Sequence, residues 1–271
     1  MADFAVANAD FQRQCDILDN LFDIVDVTAK QDGQTRYAVE SNLLPLVAAG
    51  GQNTMAACGV VLIAAHFEEC VRQQVEEYAK SLVASYGDIE EPLQAKMIDA
   101  YWKAGLSKLS RLRPKDDPAW AGLASTSLSS MLKFPVSGDD SHLVASWLCE
   151  HENNMRMDTV LLLTGRVGIK DLAGKLSKSA ALKAVVGALK KDDFAVSLRV
   201  KLKEFYDLRN GVVHSISQNS GIGRTVFAQW AVFLRAFSTA LSEAMVAALG
   251  EYEADLAKRK AKAAAKALTA A

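Results

Sequence analysis

The sequence predicts an all-α fold. Apolar residues recur at steps of three and four along most of the 271-residue chain, no run alternates with the period of two that a half-buried strand needs, and only five prolines interrupt it. With 50% hydrophobic residues, 23% charged residues and a net charge of −1, the composition is that of an ordinary globular protein; disordered, collagenous and disulfide-scaffold classes are excluded. No internal repeat or Pro/Gly-rich linker is visible, so a single all-α domain over residues 1–255 is expected, followed by an Ala/Lys-rich tail over 256–271.

The elements follow in order. Phe11, Cys15, Leu18, Phe22 and Val25 lie on one stripe and predict a first amphipathic helix. Gly50-Gly51 breaks the chain, and Asn53 or Thr54 is placed to cap a helix from Met55 to Ala84, apolar at first and amphipathic from His66-Phe67-Glu68-Glu69 onward. Helices are expected near 90–111 and 118–133, the second opened by Asp117 with Pro118 in its first turn, and shorter ones near 142–150, 158–166 and 179–190. Asp192-Asp193 is placed to cap a long helix whose Leu198, Leu202, Phe205 and Leu208 or Arg209 recur at helical steps as far as His214. A Ser/Asn/Gly loop, Ser215 to Gly223, precedes a last long helix carrying Phe227, Trp230, Leu234, Phe237, Leu241 and Met245. Trp102, Trp120, Trp147 and Trp230 all sit in apolar periodic contexts and are expected in the core.

The near-zero net charge hides an asymmetry. Residues 1–100 hold 16 acidic side chains against 6 basic ones, whereas residues 166–203 hold 10 basic against 3 acidic. Opposed surfaces of one fold account for this, and so does a phosphate-attracting face leading toward the 208–215 segment. The start of the chain, MADFAVANADF, is acidic where a signal peptide is basic, and the longest apolar run, Met55 to Ala65, is far shorter than the roughly 20 residues that span a bilayer. A cytoplasmic protein without membrane contact is expected.

Most motif readings fail on chemistry. Gly168 to Lys175 has five residues between its glycines where a phosphate loop has four, and Leu176 stands where Ser or Thr would hold magnesium. Gly221-x-Gly223 lacks a third glycine, Val226 taking its place. His66-x-x-x-Cys70 and Cys149-x-His151 are too scattered to make a tetrahedral metal set, and the four cysteines form no C-x-x-C pair. Asp116-Asp117, Asp139-Asp140 and Asp192-Asp193 all stand where helices are expected to begin, so capping explains them. Neither metal nor cofactor is expected.

One segment survives, Leu208-Arg209-Asn210-Gly211-Val212-Val213-His214-Ser215. It gathers a fixed cation, an amide and an imidazole at the end of a helix, the equipment for metal-independent phosphodiester chemistry. His214 would exchange a proton, Arg209 would clamp phosphate, and Asn210 would orient one of them. A bland alternative stands beside it, a helix terminus where Arg snorkels and His bonds a free carbonyl. On a regular helix Arg209 and His214 lie about 140° apart and about 7.5 Å along the axis. Gly211 and two β-branched valines are therefore expected to loosen the last turn.

Arg209-Asn210-x-x-x-His214 resembles the R-x(4–6)-H signature of the HEPN superfamily, in which a polar residue follows the Arg. Val61 to Val71, with its Phe67-Glu68 pair, is similar to the early helix of the RiboL-PSP-HEPN branch, and Asn153-Asn154-Met155 through Ile169 is similar to the segment leading to that branch's motif helix. The resemblance covers about residues 55–215. It implies a HEPN-like helical bundle, here with additional N- and C-terminal helices, that dimerises through its motif helices. It also implies an endoribonuclease that leaves a 2′,3′-cyclic phosphate and serves as a toxin or antiphage-defence effector, with an antitoxin or defence-system partner. By position, Arg209 and His214 take the catalytic roles and Asn210 the supporting one. Lys190, Lys191, Arg199, Lys201 and Lys203, on or just before the motif helix, are the expected RNA-binding residues. The rival expectation is a non-catalytic HEPN module that binds nucleotide, RNA or a partner protein.

Overall fold

The computed structural model describes residues 3–30, 52–112, 119–137, 140–151, 153–187, 190–214 and 222–270. Among them the fold is all-α, with no strand. Helices α1 (Phe4–Lys30), α2 (Gln52–Val83) and α9 (Arg224–Ala270) pack on one another, and α8 (Lys191–His214) closes against α2. Two smaller groups surround this centre. One comprises α3 (Glu91–Arg111), α4 (Trp120–Ser137) and two 3₁₀ turns, Asp140–His142 and Ala145–Cys149; the other comprises α5 (Met157–Arg166), α6 (Leu172–Leu176) and α7 (Ala180–Val186).

Periodicity explains the centre. Phe11, Cys15, Leu18 and Phe22 are all buried on α1, and their stripe meets α2 through Phe11 and Phe67, whose rings stand 6.0 Å apart. Phe67 continues edge-on to Phe237 of α9 at 5.2 Å, and Trp230 of α9 touches Phe205 of α8 at 5.5 Å. This aromatic chain therefore fixes the position of the motif helix relative to the core. Arg235 of α9 adds a polar pin, with its guanidinium on Asp16 at 2.6 Å and on the Gln12 backbone carbonyl at 3.1 Å.

Two glycines mark close approaches. A Cβ on Gly105 of α3 would stand 2.7 Å from the Met131 side chain of α4 and 2.8 Å from Trp147. Gly168, after α5, holds φ +83 with Leu93 only 2.6 Å from where a Cβ would sit, so a left-handed turn and a tight contact both demand glycine there.

The structure departs from the sequence reading in several places. Helix α2 starts at Gln52, so Asn53 and Thr54 lie inside its first turn, and α8 starts at Lys191, which puts Asp192-Asp193 in its first turn as well. In place of a helix over 142–150 stand the 3₁₀ turns Asp140–His142 and Ala145–Cys149, each too short for an α-helical ladder; the region from 172 to 186 divides into two helices, the second ended by Gly187 at φ +74. Trp147 is buried, whereas Trp102 and Trp120 remain 41% and 38% exposed. The tail is a direct continuation of α9, and the boundary after Asp255 leaves no break. Arg259 donates to the Asp88 carbonyl at 3.1 Å and Lys260 pairs with Asp88 at 2.7 Å, anchoring the extension to the start of α3. The caps expected of Asp116, Asp117 and Asp139, the Gly50-Gly51 break, Pro118 and most of the Ser215–Gly223 loop lie outside the described residues.

Segments of α2 and α9, Asn53–Val83 and Arg224–Leu268, are long and apolar enough to cross a membrane by length and composition. Half of the α2 window and 61% of the α9 window are buried within the bundle, where those faces serve as core.

Candidate active site

The inward stripe of α8 runs Phe194, Leu198, Leu202 and Phe205, all fully buried. Beyond Phe205 the stripe continues through Leu208 and Val212, both packed against the core, and Arg209 stands beside it, half-buried with its Nε enclosed and without a partner. Its Nη1 donates to Asn210 Oδ1 at 3.1 Å. That same oxygen accepts from Asn154 Nδ2, also at 3.1 Å, so the Asn210 amide is held from two sides.

Beneath Arg209 lies a buried polar cluster. Tyr206 is fully enclosed, and burial first and then the charge of Glu68 on α2 push its phenol well above the ordinary value. The Tyr206 hydroxyl faces the Glu68 carboxylate and the Met155 backbone, and Arg156 Nε is enclosed. Glu68 of α2 and Arg209 of α8 thus act electrostatically on one buried phenol, while Arg156, on the segment before α5, reaches Asp207 of α8 at 2.6 Å. Neighbouring Glu69 is engaged elsewhere, because Arg72 donates to it through Nη2 at 2.7 Å and Nε at 2.8 Å and holds its carboxyl below the usual range.

His214 is exposed at the last residue of α8. The helix is unbroken through Gly211-Val212-Val213, so the expected loosening is absent: open space surrounds the Gly211 Cβ position, and nothing forces a bend. Arg209 and His214 consequently keep the angular separation of a regular helix, about 140°. Asn210 lies on the same side as His214, and the structure joins Arg209 to Asn210 without bringing His214 to them.

Of the basic residues, Lys190 is exposed just before α8 and Lys191 is the helix's first residue. Arg199 pairs with Asp158 at 2.8 Å and Lys203 with Asp207 at 2.6 Å. Lys201 points to another side, its ammonium over the rings of Trp230 at 5.6 Å and Phe233 at 5.8 Å, where it shields the aromatic chain. His66, Cys70, Cys149 and His151 assemble no metal set: among the described residues no three His, Cys, Asp or Glu side chains stand together as ligands. Cys70 and Cys149 are buried, with burial pushing their thiols up to about 11 and about 12.

Sequence reasoning assigned no role to Asn154, Arg156 and Tyr206 and missed the part played by Glu68. A buried Tyr and an Asn next to a helix start carry no chemical signature of their own; only the Asn153-Asn154-Met155 segment and the Phe67-Glu68 pair, noted for their resemblance, hinted at them. No protein-family model, curated protein or solved structure matches this chain.

Proposed function

We propose that the chain is a metal-independent endoribonuclease of the HEPN kind, working as a homodimer in the cytoplasm as a toxin or antiphage-defence effector with an antitoxin or defence-system partner. The observation that carries this reading is the Arg209–Asn210–Asn154 clamp, set beside the buried Tyr206 and the charge of Glu68. A guanidinium held by a fixed amide is preorganised for the charge that develops on a phosphorane.

In the reaction an RNA 2′-hydroxyl gives up its proton and attacks the adjacent phosphorus. The bond to the 5′-oxygen breaks, and that oxygen takes a proton as it leaves. His214 removes or supplies one of these protons, and Arg209 offsets the negative charge on the non-bridging oxygens. Because Arg209 and His214 lie on different sides of a straight helix, a second copy of α8 is needed to bring an imidazole to each clamp.

The non-catalytic module keeps one observation in its favour: within a single protomer, Arg209 and His214 do not converge. The decisive test is the chemistry of the ends. A 5′-labelled RNA cut by the purified protein should carry a 2′,3′-cyclic phosphate, and a 2′-deoxy substitution at the cut position should abolish cleavage there. Cleavage that persists at the deoxy position would overturn the mechanism.

A further inference from the structure

The segment entering α5 runs antiparallel along α8 and contacts it at every second residue. Asn154 bonds Asn210 at 3.1 Å, Arg156 Nη2 reaches Asp207 at 2.6 Å, and Asp158 pairs with Arg199 at 2.8 Å. Lys203 takes the other oxygen of Asp207 at 2.6 Å. Three cations, Arg156, Arg199 and Lys203, thus face two carboxylates in one row that ends at the Asn210 amide, one turn before His214.

All five charged side chains are 40–75% exposed. Ion pairs that wet contribute about 0–1 kcal/mol each, so they add little to the fold, and an anion of better geometry displaces them readily. A phosphodiester is such an anion, since each non-bridging oxygen accepts the forked donors of Arg. With both carboxylates in place the five groups carry one net positive charge; with phosphates in their place all three cations are engaged.

We propose that this seam is the docking track for a single-stranded RNA backbone, and that Asp158 and Asp207 are resident competitors that give up Arg199, Arg156 and Lys203 to its phosphates. The proposal rests on the RNA-cleaving reading above for the identity of the ligand. The track leads the strand along α8 toward Asn210 and Arg209, and the carboxylates keep unoccupied cations from capturing unrelated anions.

The test is binding of a fluorescent 2′-O-methyl single-stranded oligonucleotide, which cannot be cut by 2′-hydroxyl attack, to the full-length wild type and to Asp158→Asn and Asp207→Asn. Because the strand engages the same three cations in every protein, the salt slope should stay the same, and removing a competing ion pair should tighten binding by up to about fivefold per pair. Asp207→Asn, which frees two cations, should show the larger gain. Asp10→Asn releases Arg13 on α1 with the same change in net charge and should gain little. Wild-type affinity in both seam variants, or an equal gain in Asp10→Asn, would overturn the proposal. Unchanged helix content and melting midpoints verify that the isosteric variants fold. If binding responds as expected but no variant cuts RNA, the track stands and the nuclease reading fails; if RNA is cut but binding does not respond, the nuclease reading stands and the track fails.

Discussion

Asn154→Ala removes one of the two hydrogen bonds that hold the Asn210 oxygen while leaving the Arg209 contact in place. The lost bond is between neutral groups and half-buried, so the stability cost is about 1 kcal/mol, or about 2 °C in the melting midpoint of a chain this size. Catalysis should suffer more. Freed on one side, the amide rotates and Arg209 loses its fixed aim, and each 1.4 kcal/mol of lost transition-state orientation is about tenfold in rate. The expected pattern is a drop in kcat of about tenfold or more with affinity for the uncleavable oligonucleotide unchanged. Stopped-time cleavage assays alongside thermal melts and fluorescence anisotropy measure all three. Wild-type kcat in a variant that melts about 2 °C lower would show that the clamp serves packing alone and refute the orienting role of Asn154.

Three further expectations follow from burial and charge. A thiol reagent added to the native protein should label Cys58 alone among the four cysteines, because Cys15, Cys70 and Cys149 are buried; fast labelling of two or more would contradict the packing that buries these three. The same burial pushes the Cys15 and Cys149 thiols up to about 12 and Cys70 to about 11, from an ordinary value near 9. Stability is therefore full below pH 9 and falls as pH rises toward those values, by about 1.4 kcal/mol per pH unit for each thiol that ionises only on unfolding; urea midpoints at pH 8 and pH 10.5 test this, and a flat profile would contradict it. Truncation after Asp255 removes the Arg259 and Lys260 contacts to Asp88 and should cost about 1 kcal/mol or less while leaving RNA cleavage intact; loss of cleavage would assign the α9 extension a role at the site.

Much of the fold is legible in the sequence because burial there is periodic. The stripes of α1, α2, α8 and α9 announce themselves, and on α8 the choice between Leu208 and Arg209 is settled by Leu208, which packs against the core. The short elements are less legible: Ala145–Cys149 is too brief for periodicity to separate a 3₁₀ turn from an α-helix. The exposure of Trp102 and Trp120 is also invisible beforehand, since a helical pattern tells which residues share a face and not which neighbour covers it. The candidate site divides along the same line. Arg209, Asn210 and His214 are adjacent in sequence and carry chemistry that can be read there, whereas Glu68, Asn154, Arg156 and Tyr206 join them through tertiary packing. Gly211 shows the converse error, because a residue that permits a bend does not impose one, and α8 remains straight to His214.

The most direct measurement is cleavage of a single-stranded RNA by the purified protein in excess EDTA, with Arg209→Ala and His214→Ala assayed alone and mixed. The expected result is metal-free cleavage by the wild type, none by either variant with helix content retained, and partial recovery when the two are mixed, since a mixed dimer can pair one intact Arg209 with one intact His214. Full cleavage by either variant alone, or activity that disappears with the chelator and returns with a divalent metal, would contradict it.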